Sequence, residues 1–345
     1  MRAVQYDAYG QLPRLVDVPE PVCPPAGVVV AVGATGVCRS DWHAWQGHDP
    51  VTLPHVPGHE LAGTVVEVGP EVRGWAVGAR VTTPFVGGCG ECETCREGDQ
   101  QVCPQQTQPG FTYAGSFAER VVVHAADVNL VALPDEVGFV AAASLGCRFA
   151  TAYRAVTGHG RLAAGQWLAV HGCGGVGLSA VMVGVALGAR VVALDPSPAS
   201  RRLAAELGAE VVLDTDGDVA GAVREVTGGG AHVSLDAVGS ASTAVASVAG
   251  LRRRGRHVQV GLLFGADTMP PLPMDRVVAY ELEIYGSHGM AAHDYPALLD
   301  LVRSGRVDPQ RLVGRVVGLD QAGDALAGLG QPGAPPGLTV VDVAG

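Results

Sequence analysis

The sequence predicts an α/β protein with two domains, a mostly-β domain and a doubly wound parallel sheet. The chain has 345 residues, about twice the length of a typical domain. Up to about residue 145, short β-type runs such as VVVAVGATGV and FAERVVVH are separated by glycine and proline, a pattern typical of a small antiparallel barrel or sandwich. From about residue 165, strand and helix patterns alternate, which predicts a parallel sheet covered by helices.

Each element of the second domain follows from the local pattern. WLAVH, a glycine-rich turn, VGLSAVMVGVALG and RVVALD predict a strand, a loop, a helix and a strand, and SRRLAAELGA and EVVLD predict the next helix and strand. The alternation continues through VAGAVREVTGG, HVSLDAVGS, STAVASVAGL, RHVQVGL and LEIYGSH. In the tail, YPALLDLVRSG and QAGDALAGL predict helices, LTVVDV predicts a strand and GQPGAPPG predicts a loop. The pattern alone leaves open which domain the tail joins.

Charge and hydropathy disfavour several classes of function. The 34 acidic residues outnumber the 23 basic residues, all of them arginine, for a formal net charge of −11, which disfavours binding to nucleic acid or anionic membranes. The absence of lysine excludes Schiff-base chemistry. No apolar run reaches the roughly 20 residues that span a bilayer, and the N-terminal MRAVQYDAYG lacks the apolar core of a signal peptide. We therefore expect a soluble, cytoplasmic protein with reduced thiols.

A glycine-rich loop predicts a dinucleotide site. Gly172, Gly174 and Gly177 spell G-x-G-x-x-G between a predicted strand and a predicted helix, and Gly175 and Val176 complete the motif GCGGVG. Such glycines allow a tight turn, close approach of the backbone to a pyrophosphate, and close packing of the helix on the strand. The helix N-terminus attracts the phosphates.

An acidic residue after the next strand indicates which cofactor binds. Asp195 ends that strand, where a carboxylate binds the ribose hydroxyls of NAD and repels the 2′-phosphate of NADP. NAD is therefore the preferred cofactor. Arg201 and Arg202 keep NADP open, because a nearby arginine can accept that phosphate.

Four of the eight cysteines cluster at Cys89, Cys92, Cys95 and Cys103. Four thiolates match a tetrahedral structural zinc site, which leaves no open position for a substrate. An iron–sulfur cluster or reduced free thiols are the alternatives that these residues leave open. We interpret the segment as a zinc lobe that folds a loop, so the chemistry is expected elsewhere.

A second set of metal-ligand residues is spread along the first half of the chain. Cys38 lies in GVCRSDWH, His59 and Glu60 lie in VPGHELAG, and Cys147 lies in SLGCRFATAY. One histidine and two cysteines can form a three-residue zinc site with an open fourth position, the arrangement of a catalytic zinc. A lone cysteine is more often a small buried hydrophobe, so these residues by themselves leave the role of Cys147 open.

Four motifs identify a family. GHELAGTVVEVGPEV, CRSDWH, the four-cysteine segment and GCGGVG all occur in the chain. In these motifs, and over essentially its whole length, the chain resembles the zinc-dependent alcohol dehydrogenases of the medium-chain dehydrogenase/reductase superfamily. The resemblance implies a GroES-like, mostly-β catalytic domain over residues 1–148 and 290–345 and a Rossmann NAD-binding domain over residues 149–289. It also implies two zinc ions per chain, bound NAD, and a reaction in the cleft between the domains.

The resemblance implies roles for the metal ligands and their neighbours. Cys38, His59 and Cys147 would hold the catalytic zinc, with water or the alcohol oxygen as the fourth ligand. Glu60 would lie just behind the metal. Asp41 would orient the histidine ligand, as partners of ligating histidines commonly do.

Further roles concern proton transfer, the cofactor and the substrate. By the same resemblance, Ser40 and His43 would relay the alcohol proton through the nicotinamide ribose to solvent. Three more residues would contact ligands: Arg39 the pyrophosphate, Thr151 the nicotinamide, and Phe85 the substrate. Trp42 flanks the relay residues, which is compatible with a place in the substrate pocket or with packing in the core.

The reaction expected from the resemblance is reversible hydride transfer between an alcohol and NAD, giving an aldehyde or a ketone. Alternatives on the same scaffold are a polyol dehydrogenase or an aldehyde dismutase that holds NAD tightly, although polyol-oxidising relatives commonly place glutamate where Cys147 stands. A non-catalytic regulatory protein that binds zinc and NAD is a further alternative. Leu338 stands where many relatives have a pyrophosphate-binding arginine. Relatives of this length imply a homo-oligomer, a tetramer or a dimer, acting on small molecules.

Overall fold

The computed structural model describes residues 1–329 and 336–345 and divides into two units. Unit 1 comprises Met1–Ala150, Gly289–Ser304 and Asp308–Gly345, and unit 2 comprises Thr151–His288 and Gly305–Val307. Residues 330–335, which make up most of the predicted GQPGAPPG loop, lie outside the described residues. The described tail beyond residue 307 therefore belongs to the same unit as the N-terminal half.

Short strands separated by glycine and proline dominate unit 1, and apolar strands that alternate with helices form unit 2. In chain order the strands are β1 (Arg2–Gln5), β2 (Arg14–Asp17), β3 (Val28–Val37), β4 (Glu60–Val68), β5 (Arg80–Thr82), β6 (Arg120–Val123), β7 (Val131–Ala132), β8 (Trp167–His171), β9 (Arg190–Leu194), β10 (Val211–Leu213), β11 (Ala231–Asp236), β12 (Leu251–Gln259), β13 (Glu283–Gly286), β14 (Val313–Gly318) and β15 (Leu338–Asp342).

The helices are mostly short. In chain order they are α1 (Arg39–Trp45), α2 (Glu93–Arg96), α3 (Ala126–Asn129), α4 (Phe139–Ala143), α5 (Ala150–Arg154), α6 (Gly175–Ala186), α7 (Pro198–Glu206), α8 (Val219–Val226), α9 (Ala241–Ala249), α10 (Met274–Tyr280), α11 (Tyr295–Arg303) and α12 (Ala322–Ala327). Two π-helical turns span Leu145–Phe149 and Ala155–His159. Within the described part of the chain, every helix is too short or too polar to span a bilayer.

Unit 1 is built around β3. Its seven-stranded sheet has the order β14-β15-β3-β4-β5-β7, and β6 pairs with β3 off this path. The pairs are antiparallel except β14 with β15. β3 is almost wholly buried, because its VVVAVGATGV sequence is apolar on both faces, and Tyr6, Leu61 and Phe117 are among the large side chains of the core. Its end fixes the place where Cys38 leaves the sheet.

Unit 2 contains a parallel sheet of six strands in the order β10-β9-β8-β11-β12-β13. This is the order of a doubly wound Rossmann sheet, in which the connection reverses between β8 and β11. Ligands bind such sheets beyond the carboxyl ends of the strands at this reversal. The predicted α/β class with a doubly wound parallel sheet is confirmed, and β8 leads directly into the glycine loop.

The structure departs from the sequence pattern in three places. β5 covers only Arg80–Thr82 of the predicted run ARVTTPFV, because Pro84 cannot donate a ladder hydrogen bond. β12 begins at Leu251 and includes the arginine-rich segment before RHVQVGL. The helix α1 forms where the pattern predicts none, with Cys38 as its N-cap residue.

Candidate active site

Three metal-ligand side chains meet at one edge of the sheet in unit 1. Cys38 directly follows β3, and His59 directly precedes β4. These strands are antiparallel neighbours in which Gly36 pairs with Glu60, so the end of one lies beside the start of the other. Cys147 lies in the first π-helical turn. The ligand atoms of Cys38, His59 and Cys147 all lie within 4.8 Å of one another, and the three residues are buried.

The π-helical turn that carries Cys147 is anchored by long-range hydrogen bonds. The backbone N–H of Phe85 donates to the Gly146 carbonyl (3.0 Å). The hydroxyl of the buried Tyr295 lies 3.2 Å from the Leu145 carbonyl oxygen and 3.3 Å from that of Gly146. π-helical turns are rare and occur frequently at functional sites. Here the turn brings the Cys147 sulfur to the other two ligands.

Asp41 sets the orientation of His59. Its Oδ1 accepts hydrogen bonds from Nδ1 of His59 (2.9 Å) and the N–H of Gly58 (3.0 Å), and its Oδ2 accepts one from the N–H of Cys38 (3.2 Å). With the proton on Nδ1, the Nε2 lone pair of His59 is available, and Nε2 is buried without a hydrogen-bond partner among the described residues. A ligating histidine is held in this way by its other nitrogen, so the donor set fits a zinc ion.

Electrostatics around the ligands favour the thiolate form of Cys38. The hydrogen bond from Cys147 lowers the pKa of the Cys38 thiol well below its usual value, against the raising effect of burial. The positive charge of Arg148 adds to this lowering. Thiolate is the form of cysteine that binds a metal.

Arg148, which no sequence motif indicated, directly follows Cys147 and forms a buried ion pair with Glu60. The backbone N–H and Nε of Arg148 donate to Oε1 of Glu60 (2.9 and 3.0 Å), and Nη2 pairs with Oε2. Nη1 donates to the Val37 carbonyl (3.1 Å). Burial raises the pKa of Glu60, although Arg148 opposes the rise. The signal in the sequence is a single charged residue inside the otherwise uncharged run SLGCRFA.

Two aromatic rings border the ligand set. The ring centroids of Phe85 and Phe111 lie 6.0 and 5.3 Å from that of His59, both in edge-on geometry. A side chain at Gly289 would lie 2.9 Å from Phe85, so this glycine makes room for the ring. Phe111 has no signal of its own in the sequence, because an aromatic residue in a loop does not reveal its neighbour.

The other residues predicted from the motif CRSDWH lie on α1, directly after Cys38. The Oγ of Ser40 is 3.8 Å from the Sγ of Cys38. Nδ1 of the half-buried His43 lies 3.1 Å from Nδ1 of the exposed His48. Both imidazole rings pack edge-on against Trp42, with centroids 5.2 and 5.7 Å away. The exposed guanidinium of Arg39 lies over the Trp42 ring at 5.1 Å.

The four-cysteine lobe is compact. Its sulfur atoms all lie within 4.8 Å of one another. Cys89 and Cys95 have sulfurs 3.9 Å apart, and Cys92 and Cys103 have sulfurs 3.7 Å apart. These distances are too long for disulfides and match the edge of about 3.8 Å in a tetrahedron with Zn–S bonds of about 2.3 Å. Backbone N–H groups of Glu91 and Cys92 lower the pKa of Cys89 to about 6. The lobe fits one tetrahedral ion better than a larger iron–sulfur cluster.

The glycines of the predicted loop in unit 2 differ in their surroundings. Gly172 has φ +91°, which glycine adopts without steric cost. A methyl group at Gly177 would overlap the Gly172 carbonyl oxygen, whereas one at Gly174 would meet nothing within 4 Å. Gly174 is the N-cap of α6, a helix of 12 residues whose first turn contains Gly175 and Val176. The loop leaves open space at the start of α6, where the N–H groups and the dipole favour a phosphate.

Asp195 connects β9 to the same loop. Its Oδ2 accepts a hydrogen bond from the N–H of Cys173 (2.8 Å), and its Oδ1 accepts one from the N–H of Ser197 (2.8 Å). Nη1 of Arg201 donates to the Asp195 carbonyl (2.6 Å), while Arg202 is exposed. Burial raises the pKa of the Cys173 thiol to about 12, so this cysteine stays a neutral thiol beside the loop.

Two further predicted positions have contrasting environments. Thr151 lies in α5 and is buried, and its hydroxyl has no hydrogen-bond partner among the described residues. Leu338 begins β15 and is also buried, with 2% of its surface exposed. The Thr151 hydroxyl is therefore available to a ligand, whereas Leu338 packs in the core of unit 1.

Two family models match the chain. The alcohol dehydrogenase GroES-like domain matches residues 24–135, and the zinc-binding dehydrogenase domain matches residues 175–304. An alcohol dehydrogenase from Geobacillus stearothermophilus is 33% identical over 310 residues, which cover 89% of this chain and 90% of that protein. The chain belongs to the zinc-dependent alcohol dehydrogenase family.

Two further proteins match over similar lengths. A D-arabitol-phosphate dehydrogenase from Enterococcus avium is 32% identical over 317 residues, covering 90% of this chain and 88% of that protein. The solved alcohol dehydrogenase from Aeropyrum pernix has a TM-score of 0.89 at 31% identity and covers 99% of this chain and 100% of that one. The predicted medium-chain family and GroES-like domain are confirmed. The prediction of zinc and NAD as cofactors is confirmed at the level of the family.

We expect two glycine substitutions in this alcohol dehydrogenase to act differently. Gly177→Ala should lower the melting temperature by at least about 5 °C, because its methyl group would overlap the backbone. Gly174→Ala should keep the melting temperature but weaken NADH binding at least about tenfold, because the methyl group would enter the space where a pyrophosphate approaches. Differential scanning fluorimetry and NADH fluorescence titration measure the two effects. Equal losses of stability would contradict this account of the loop.

Proposed function

We propose that the protein is an NAD-dependent zinc alcohol dehydrogenase that transfers hydride reversibly between an alcohol and NAD, with an aldehyde or a ketone as the oxidised product. The observation that carries this proposal is the buried convergence of Cys38, His59 and Cys147, in which Nε2 of His59 lacks a hydrogen-bond partner among the described residues. Three protein ligands leave a fourth position for a substrate, whereas a structural zinc site uses four.

A zinc ion at this place would act as a Lewis acid and would lower the pKa of a bound alcohol, so that the alcohol can lose its proton at neutral pH. The residues of the chain prepare the site. Asp41 keeps the His59 proton on Nδ1, so Nε2 remains available. Phe85 and Phe111 place apolar surface beside His59, which excludes water and strengthens the electrostatic interactions inside the site.

Ser40 and His43 are the proposed carriers of the alcohol proton. The Ser40 hydroxyl lies 3.8 Å from the sulfur of Cys38, and His43 contacts the exposed His48. Burial and the neighbouring charges of His48 and Arg39 lower the pKa of His43. His43 is therefore neutral at pH 7 and can accept a proton, as a general base must.

The glycine loop and Asp195 form the proposed NAD site in unit 2. The N-terminus of α6 would bind the pyrophosphate, and the Asp195 carboxylate would bind the adenosine ribose hydroxyls. The hydrogen bond from Arg201 to the Asp195 carbonyl holds that guanidinium on the backbone, which supports NAD over NADP. Thr151, with its unpartnered buried hydroxyl, would contact the nicotinamide.

The four-cysteine lobe is the proposed structural zinc site. Its sulfur spacing and its N–H···S hydrogen bonds suit a closed tetrahedral ion. None of the eight cysteines forms a disulfide. Because reduced thiols persist in a reducing compartment, we assign the protein to the cytoplasm.

The D-arabitol-phosphate dehydrogenase among the relatives raises a second candidate, a polyol dehydrogenase. The rings beside His59 are apolar, which favours an alcohol with an apolar substituent over a phosphorylated polyol that needs polar and cationic partners. NADH formation with aliphatic and aromatic alcohols, compared with arabitol phosphate, separates the two. An aldehyde dismutase would consume aldehyde without added NAD, and a non-catalytic protein would bind NAD without turnover.

Substitutions in the two cysteine sets should separate catalysis from stability. Cys38→Ser or His59→Ala should lower kcat/KM at least about a thousandfold, because the Lewis acid is lost, while NADH still binds. Cys92→Ser should lower the melting temperature by at least about 5 °C and affect turnover less. Elemental analysis should find two zinc ions per chain in the wild type and one in each variant. Full activity of Cys38→Ser, or normal stability of a Cys92→Ser protein with one zinc, would refute these assignments.

Asp195→Asn should shift cofactor preference. The substitution removes the charge that repels the 2′-phosphate while keeping the size of the side chain, so the ratio of kcat/KM for NADP to that for NAD should rise at least about tenfold, roughly 1.4 kcal/mol. The exposed Asp214 at the end of β10 provides a matched control, and Asp214→Asn should leave the ratio unchanged. Steady-state kinetics with both cofactors decide the matter, and an unchanged ratio in Asp195→Asn counts against the ribose assignment.

We also propose that the protein is a homo-oligomer, a dimer or a tetramer, that uses the β13 edge of unit 2. β13 is the last strand of its sheet, and an unpaired strand edge is a template for pairing with another chain. Apolar side chains are exposed in the same part of the chain: Met269 is 87%, Val278 76% and Ile284 39% exposed. A second copy would remove this surface from water.

Ile284→Lys should reduce the assembled mass measured by sedimentation velocity, because a charge would then lie at the β13 edge. Val77→Lys places the same charge on a side chain that is 66% exposed in unit 1 and should leave the mass unchanged. A wild-type protein that sediments as a single chain would rule out the oligomer, and dissociation by Val77→Lys alone would point to another interface.

A further inference from the structure

Glu60 and Arg148 each follow a proposed metal ligand in the chain, and together they form a buried ion pair. Glu60 is 0% exposed and Arg148 is 7% exposed. Arg148 occupies both carboxylate oxygens, since its backbone N–H and Nε donate to Oε1 (2.9 and 3.0 Å) and its Nη2 pairs with Oε2. Such bidentate contacts fix the orientation of a carboxylate as well as neutralise it.

The surrounding backbone is shaped around this pair. Gly36 lies opposite Glu60 on β3, and a methyl group at Gly36 would overlap Oε2 of Glu60 and lie 2.6 Å from Nη2 of Arg148. Nη1 of Arg148 donates to the carbonyl of Val37, the residue before Cys38. One guanidinium therefore ties together the three segments that carry the metal ligands.

A carboxylate buried beside a metal site must be neutralised by a cation. An unpaired buried charge is strongly disfavoured, and carboxylate oxygens are good ligands for zinc. Two cations could satisfy Glu60: the metal ion, or Arg148. In the described residues, the ligand atoms that converge belong to Cys38, His59 and Cys147, and Glu60 is not among them.

We propose that Arg148 is a positioning residue that holds the Glu60 carboxylate off the metal, so that Cys38, His59 and Cys147 remain the protein ligands and the fourth position stays open to the alcohol. This inference rests on the proposed catalytic zinc site. It goes beyond that site because it explains, by the Arg148–Glu60 ion pair, why three residues of the protein bind the metal and a fourth does not. The ion pair acts by fixing which residues bind the metal and does not itself contact the alcohol.

The test replaces the catalytic zinc with cobalt(II), whose visible spectrum reports the number and type of ligands. Zinc is left in the four-cysteine lobe, and metal analysis checks the loading.

Arg148→Met removes the charge and keeps much of the side-chain bulk. The released Glu60 should then bind the metal, and the d–d bands of cobalt should weaken and shift. The double variant Arg148→Met/Glu60→Gln should regain the wild-type spectrum, because a neutral amide is a poor metal ligand. Arg148→Lys should give an intermediate spectrum, since lysine cannot form the two-pronged contact.

A matched control removes an ion pair elsewhere in unit 1. Arg120 pairs with Glu20 at 2.9 Å on the surface, and Arg120→Met should leave the cobalt spectrum unchanged. A wild-type spectrum for Arg148→Met, or a double variant that keeps the altered spectrum, would overturn the proposal. If Arg148→Met does not fold, Arg148→Lys carries the test, and an unaltered spectrum in that variant overturns the proposal.

The spectra separate this inference from the proposed function, because they require no substrate. Cobalt bands that respond to Arg148 as expected, in a protein that oxidises no alcohol, would support the positioning role and refute the dehydrogenase. A wild-type protein that binds no cobalt at Cys38, His59 and Cys147 would overturn both.

Discussion

The carboxylate of Asp41 is the contact on which the active site depends. It accepts hydrogen bonds from the backbone N–H groups of Cys38 and Gly58 and from the ring of His59, so one buried group joins the start of α1 to the segment before β4. Gly58 allows this approach with φ +105°, and a side chain there would lie 2.8 Å from the N of Phe117. Charge-assisted bonds of this kind are stronger than neutral ones. They leave His59 with a fixed tautomer and an available Nε2.

The four-cysteine lobe and the three-ligand site bring their metal-ligand residues together in different ways. In the lobe, the ligands come from one short segment, and nearby N–H groups stabilise the sulfurs, as those of Glu91 and Cys92 do for Cys89. In the three-ligand site, a strand end, a strand start and a π-helical turn must meet. The first arrangement depends on local chain geometry, and the second depends on the packing of the whole of unit 1.

Local pattern predicted the regular elements well and the irregular ones poorly. The run VVVAVGATGV coincides with β3 over Val28–Val37, because both faces of that strand are buried and apolar. The sequence pattern missed α1, since RSDWHAW has little apolar periodicity and its start is set by the bond from the Cys38 N–H to Asp41. The π-helical turn at Cys147 was also missed, because it depends on long-range bonds from Phe85 and Tyr295.

The sequence by itself determined the glycine loop, the four-cysteine lobe and the alternation of strands and helices, because each depends on residues that are close together in the chain. Only the tertiary structure decided that Arg148 pairs with Glu60 and that Phe111 borders His59. The Arg148–Glu60 contact joins positions 88 residues apart. Contacts at such separation are set by strand register and side-chain packing, which no local pattern encodes.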